Sequence, residues 1–168
     1  MRVLGKLSHL LLIAFVLSSC LQIKDREEPV LPGQSPPPDL SIEEALERIP
    51  FTIAQPSVPF EATQKSAKIL DTNGRFDAVE ITYANIDEGS TLVVMVTNSQ
   101  ADTPPNGKKG LKLANGSQTW EQGDEQVSAI YWRHEGLTYT LVSWLNNNGN
   151  QAPLYNHEKL IEIANSIK

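Results

Sequence analysis

One cysteine in 168 residues leaves no partner for an intramolecular disulfide and no basis for a Cys-rich metal site. Aromatic residues make up only 7% of the chain, yet charges of both signs and 40% hydrophobic content exclude whole-chain disorder. The longest apolar run, Leu10 to Leu17, is far too short for the roughly 20 residues that a membrane-spanning helix needs. Positive charge is also scarce. The formal charge is -6 with a pI near 5.0, which argues against nucleic acid as a partner, because phosphate contacts require clustered Lys and Arg. Glycine and proline are too few and too irregular for a collagenous or low-complexity chain. What fits is one folded domain with attachments.

The attachments come first. Arg2 and Lys6 precede the apolar run, which ends at Leu17-Ser18-Ser19-Cys20. A basic start, a short apolar stretch and small residues before the end form the layout of a secretory signal. The last four residues resemble the lipobox of bacterial lipoproteins: a branched aliphatic residue, two small residues and a cysteine. That resemblance implies a signal peptide over 1–19, removed on export. It also implies diacylation of the Cys20 thiol, which would become the first residue of the mature protein and its membrane anchor. Two acyl chains give stable anchoring where one is marginal. A redox or catalytic Cys20 is disfavoured, since no neighbouring His or basic residue would lower its pKa.

Residues 20–40 carry Pro29, Pro32, Pro36, Pro37 and Pro38 and keep neither helical nor strand periodicity. Proline fixes φ and removes donors, so an extended tether is expected, reaching at most about 60 Å at roughly 3.1 Å per residue.

The folded domain is expected over 41–168. Ser41-Ile42-Glu43-Glu44 has capping-box form and starts a helix stopped by Pro50. Phe51 to Phe60, interrupted by Pro56 and Pro59, predicts an extended, packed segment and not a central strand. From about Ser66 to Asn146 the pattern has period two, punctuated by Asn73-Gly74, Glu88-Gly89, Asn115-Gly116 and Glu135-Gly136, which predicts successive hairpins. A two-residue loop at Glu88-Gly89 would set Tyr83 opposite Val94 and Ile81 opposite Val96. The same construction at Glu135-Gly136 sets Trp132 opposite Tyr139, Ile130 opposite Leu141, Tyr131 opposite Thr140, and Trp144 opposite Val127. Ala101 to Gly110 reads as a surface loop. Asn156 then caps a final helix with Leu160, Ile163, Ala164 and Ile167 on one stripe. The expected fold class is α+β: an antiparallel sheet of successive hairpins, with an N-terminal and a C-terminal helix packed on one face.

Trp132-Arg133-His134-Glu135-Gly136-Leu137-Thr138-Tyr139-Thr140-Leu141, followed by Glu158 to Ile167, resembles the end of an uncharacterised extracytoplasmic domain. That domain recurs in Gram-positive lipoproteins and in anti-sigma-factor ectodomains. The proline-rich Ile49 to Pro59 segment is similar to its beginning, and the resemblance covers about residues 45–168. It implies a location on the outer face of the bacterial cytoplasmic membrane, with a periplasmic membrane face as the alternative. No catalytic residues come with it. The chain departs from the anti-sigma members in having a lipid anchor where a span and a cytoplasmic sigma-binding segment would stand.

Chemistry-bearing motifs are missing: no G-x-S-x-G, H-E-x-x-H, Walker A or G-x-G-x-x-G occurs. His134 and His157, with Glu135 or Glu158, form the one conceivable two-His metal arrangement, but their places at element ends read as solvated polar positions, and neither metal nor cofactor is expected. Asp87-Glu88 and Asp124-Glu125 fall in turns, and Ser128 and Ser143, assigned to the mixed face of the second hairpin, lack an evident base. The functional pull lies with Trp120, Tyr131, Trp132, Tyr139 and Trp144. On the predicted register Tyr131, Arg133 and Trp144 share the face away from Trp132, where rings could stack on sugars or apolar groups and the guanidinium could fix an anion. The expectation is a lipid-anchored, non-catalytic binding or sensing domain whose partners are the membrane, through Cys20, and an envelope protein or wall polymer. The alternative is a cell-wall-acting enzyme, which requires His134, Glu135 and another carboxylate or hydroxyl to converge in one cleft.

Overall fold

In the computed structural model, the described residues are 39–71, 76–98 and 107–167. The signal-like segment, Cys20, the tether up to residue 38, the Asn73-Gly74 turn and residues 99–106 of the expected surface loop lie outside them. The described residues fall within one compact unit, Pro37–Lys168. Helix α1 spans Ile42–Arg48, and the strands are β1 Gln64–Asp71, β2 Phe76–Asn85, β3 Ser90–Thr97, β4 Lys108–Lys112, β5 Gln118–Gly123, β6 Ser128–His134, β7 Leu137–Asn147 and β8 Asn150–Ala152. Helix α2, His157–Ala164, follows. All strand pairs are antiparallel and form one sheet in the order β1-β2-β3-β7-β6-β5-β4, with β8 added to β7. The architecture is α+β.

Local sequence accounts for the ends of both helices. Ser41 accepts the Glu44 backbone N–H at 3.2 Å, while Glu44 Oε2 accepts the Ser41 N–H at 3.1 Å, completing the capping box. Those bonds hold the Glu44 carboxyl below its ordinary range. Asn156 Oδ1 accepts the Lys159 N–H at 2.9 Å and starts α2.

The β6–β7 hairpin has the predicted register, Trp132 opposite Tyr139 and Ile130 opposite Leu141, closed by Glu135 at φ 49° and Gly136 at φ 79°. Two consecutive positive φ values give the mirror-image turn whose twist matches the strands. The Trp132 and Tyr139 rings stack with centroids 4.9 Å apart.

The β2–β3 hairpin corrects the two-residue reading at Glu88-Gly89. Tyr83 faces Leu92 and Ile81 faces Val94, because Ile86 to Gly89 all belong to the turn and Asn85 pairs with Ser90. The turn packs against the end of β7: the Asn146 N–H donates to the Gly89 carbonyl at 2.9 Å, and a Cβ on Gly89 (φ 70°) would sit 2.0 Å from the Asn146 oxygen. Only glycine fits there. A shift of two residues leaves every side chain on the predicted face.

Three further differences have local causes. Lys108 to Gly110 belong to β4 and not to a loop, since they pair with β5. Asn148 (φ 51°) and Gly149 (φ 84°) turn the chain into β8, a strand the periodicity argument passed over. Ser128 and Ser143 lie inward and buried beside Ile130 and Leu141, since strand alternation places 128, 130 and 132 on one side.

The inward side chains form a single buried cluster: Val79, Ile81 and Tyr83 of β2, Leu92, Val94 and Val96 of β3, Ile130 and Trp132 of β6, and Tyr139 and Leu141 of β7. Ile42 and Ala45 of α1 and Leu160, Ile161, Ile163 and Ala164 of α2 join it. The Phe51 to Phe60 segment is extended and unpaired, as its prolines dictate, with Ile53 buried and Phe51, Val58 and Phe60 packed against the cluster.

Trp132 is 2% exposed. Its truncation to Ala should cost about 3–5 kcal/mol, whereas Lys159→Ala, which removes an exposed contact to Glu162, should change stability by less than about 0.5 kcal/mol. Chemical denaturation of the two variants checks this; a wild-type midpoint for Trp132→Ala would refute the packing.

The buried phenols make stability sensitive to alkali. Burial, aided by the negative charge of Glu43, pushes the Tyr83 hydroxyl up to about 12, and burial also raises Tyr139 and Tyr155. In the unfolded chain a tyrosine ionises near pH 10, so the folded state holds these protons more tightly. Their contribution is therefore complete below about pH 10 and is lost as pH climbs toward 12. Denaturation midpoints measured from pH 8 upward should fall above about pH 10, less steeply in Tyr83→Phe.

Candidate functional site

The outward alternation of the same strands builds a second surface. A transverse row of cross-strand neighbours runs Lys68, Glu80, Met95, Thr140, Tyr131, Trp120, Lys109 from β1 to β4. Thr82, Thr91, Thr97, Thr138 and Thr140 share this face, together with Val93, Val142 and Trp144. None of these threonines, nor Tyr131, Trp120 or Trp144, reaches the burial of the inward side chains. Threonine satisfies both demands of an outward strand position, a β-branched stem for the pleat and a hydroxyl for water.

Of the three residues singled out from the sequence, the fold brings two together. Arg133 Nε donates to the Tyr131 hydroxyl at 3.1 Å. Trp144 shares the face but pairs with Thr91 on β3, and along the strands it stands six residues from Arg133, about 20 Å at roughly 3.4 Å per residue. A small ligand touching Arg133 therefore cannot reach Trp144. The partner that completes the cluster is Trp120, whose ring meets Tyr131 edge-to-face with centroids 5.9 Å apart. Its outward position follows from the β5–β6 register, which pairs Trp120 with Tyr131. The sequence signal for it was the Glu125-to-Ser128 stretch between two period-two runs, with no diagnostic turn dipeptide.

Arg133 Nη2 is buried and has no hydrogen-bond partner among the described residues. A buried charged donor left without a partner is costly.

The histidines stand apart. A cleft of about 560 Å³ opens between the 51–54 segment, the β6–β7 turn and the end of the chain, and His134, Glu135 and Tyr139 line it. Burial and the Glu135 charge raise the Tyr139 hydroxyl, but His134 Nε2 and Glu135 Oε1 are 3.8 Å apart, beyond a hydrogen bond, and Glu135 is 82% exposed. His157 lines a different cleft of about 600 Å³. There its Nε2 lies 3.0 Å from the Gln122 carbonyl and its Nδ1 3.5 Å from Glu121 Oε2. The two-His arrangement is thus not assembled, and among the described residues no group of three or more His, Cys, Asp or Glu could hold a metal ion. Nor is any described helix long and apolar enough to cross a membrane.

No family model matches the chain, and no curated protein or solved structure is significantly similar to it.

Proposed function

We propose that this is a lipid-anchored extracytoplasmic protein whose domain binds an envelope component through its outer sheet face without catalysing a reaction. One observation supports this most directly: Arg133 and a Trp120–Tyr131 ring pair cluster, half-buried, on the outward side of the sheet, away from the buried cluster that the helices join. On this reading both helices pack on the inner face, which supplies stability, and the outer face is left to recognition. Aromatic edges, hydroxyls and a guanidinium suit an extended polar partner better than a small enclosed one. The kinship to lipoprotein and anti-sigma-factor ectodomains is part of the proposal and rests on the residues quoted for it.

The enzymatic alternative draws on the convergence of His134, Glu135 and Tyr139 in one cleft. Their separation and solvation favour recognition over proton transfer, which requires groups within hydrogen-bond reach of the reacting atom.

Anchoring is tested by metabolic labelling with palmitate: the wild type should carry label and Cys20→Ala should lose it. Equal labelling of the two would refute the anchor. Binding is tested by co-sedimentation with isolated wall and membrane fractions. A Trp120→Ala, Tyr131→Ala variant that remains folded should sediment less than wild type, and equal sedimentation would refute the outer face as the site.

A further inference from the structure

The outer sheet face carries charge opposite in sign to the chain. Against a formal charge of -6, the strand positions on this face hold Lys68, Lys109, Lys112 and Arg133. Among the described residues the acids beside them are Glu80, the cross-strand neighbour of Lys68, and Asp39, whose Oδ1 lies 3.5 Å from Lys68 Nζ, so the uncompensated cations are those of the β4–β6 end. Two features of β4 bring this about. Lys109 pairs with Trp120 and Lys112 with Gln118, both outward positions of β5, because the register shifts between Lys109 and Lys112 and returns the second lysine to the same side. Lys108, by contrast, turns to the other side, where its Nζ lies 3.6 Å from Glu121 Oε2. Lys109 and Lys112 are exposed, and neither has an acid facing it across its ladder.

We propose that this face binds an acidic polysaccharide, a sugar chain bearing carboxylates, laid across β4, β5 and β6. The inference rests on the reading of the outer face as the binding surface and adds the class of its partner. Charge complementarity selects a polyanion: three cations stand at the β4–β6 end, the exposed Lys109 and Lys112 and the half-buried Arg133. Lys112 and Arg133 lie about two strand spacings apart, roughly 10 Å, so successive anionic groups along a polymer meet successive cations. The surroundings select a sugar over a peptide. The Thr140 hydroxyl and the Trp120 and Tyr131 ring edges suit a hydroxyl-rich chain, while the β4 edge with its lysines and a bulge is poorly shaped to accept an added strand. Release of counterions from the polymer makes the binding salt-dependent.

The test uses the full-length protein in neutral detergent and isothermal titration calorimetry with three probes: hexagalacturonate, the uncharged cellohexaose, and a hexaglutamate peptide. Hexagalacturonate should bind saturably at low salt and weaken as salt rises, with the other two at least about fivefold weaker. Lys109→Gln, Lys112→Gln should weaken hexagalacturonate about fivefold or more and flatten the salt dependence, as should Arg133→Gln in a folded variant. Absence of hexagalacturonate binding, equal or tighter binding of hexaglutamate or cellohexaose, or an unchanged affinity in the lysine variant would each overturn the inference. If the Trp120→Ala, Tyr131→Ala variant nevertheless loses sedimentation with envelope fractions, the outer face stands as the binding surface and only the polymer class falls. If sedimentation is also unchanged, both fall.

Discussion

The two-residue turn at Glu135 and Gly136 constrains everything around it, because it fixes which residues of β6 and β7 face each other. With both turn residues at positive φ, the strands leave at the twist a sheet requires, and Trp132 comes to rest on Tyr139. A slip of β6 by one residue would send Ile130 and Trp132 into water and bring Tyr131 and Arg133 inward. Strand β7 is also the partner of β3, so the same pairing carries the register from one half of the sheet to the other. Glutamate is an unusual occupant of the first turn position, where Asn, Asp or Gly is preferred. The stacked rings and the buried pairs behind them hold the turn in place despite that mild strain.

Period-two alternation makes most of this visible in the sequence, since parity is decided by chemistry and needs no knowledge of partners. That is why the β2–β3 hairpin could be misregistered by two residues and still have Ile81, Tyr83, Val94 and Val96 together on one face, which is the buried one. The Glu88-Gly89 dipeptide marked a turn but not its length. Asn148-Gly149 was an equally good turn signal, overlooked because β8 has only three residues and no apolar alternation. Ser128 and Ser143 resisted reading from the other side: serine looks outward-facing, yet both are buried, and Ser143 Oγ finds no partner among the described residues.

The outer face was legible in part. Tyr131 and Arg133 are neighbours on one strand, so their shared side followed from counting. Trp144 has the same parity, but parity says nothing of distance, and the ladder places it three rows away. Trp120 and the lysines of β4 needed the three-dimensional order of strands, with a register shift that no local pattern announces. Residues that alternate with a core can be read singly, whereas a surface assembled from several strands exists only once the sheet order is known.

The N-terminal edge of the sheet has one more consequence. Leu40 exchanges two backbone hydrogen bonds with Ala67, each 2.9 Å, immediately before the capped start of α1, and Asp39 lies 3.5 Å from Lys68. Among the described residues, a mechanical load arriving along the chain from the N-terminal side is met first by this bridge and its neighbouring ion pair. Yielding there would peel back two residues and leave α1 seated by Ile42 and Ala45. The bridge would act as a fuse, absorbing a pull on the protein's leading end before the sheet itself is strained.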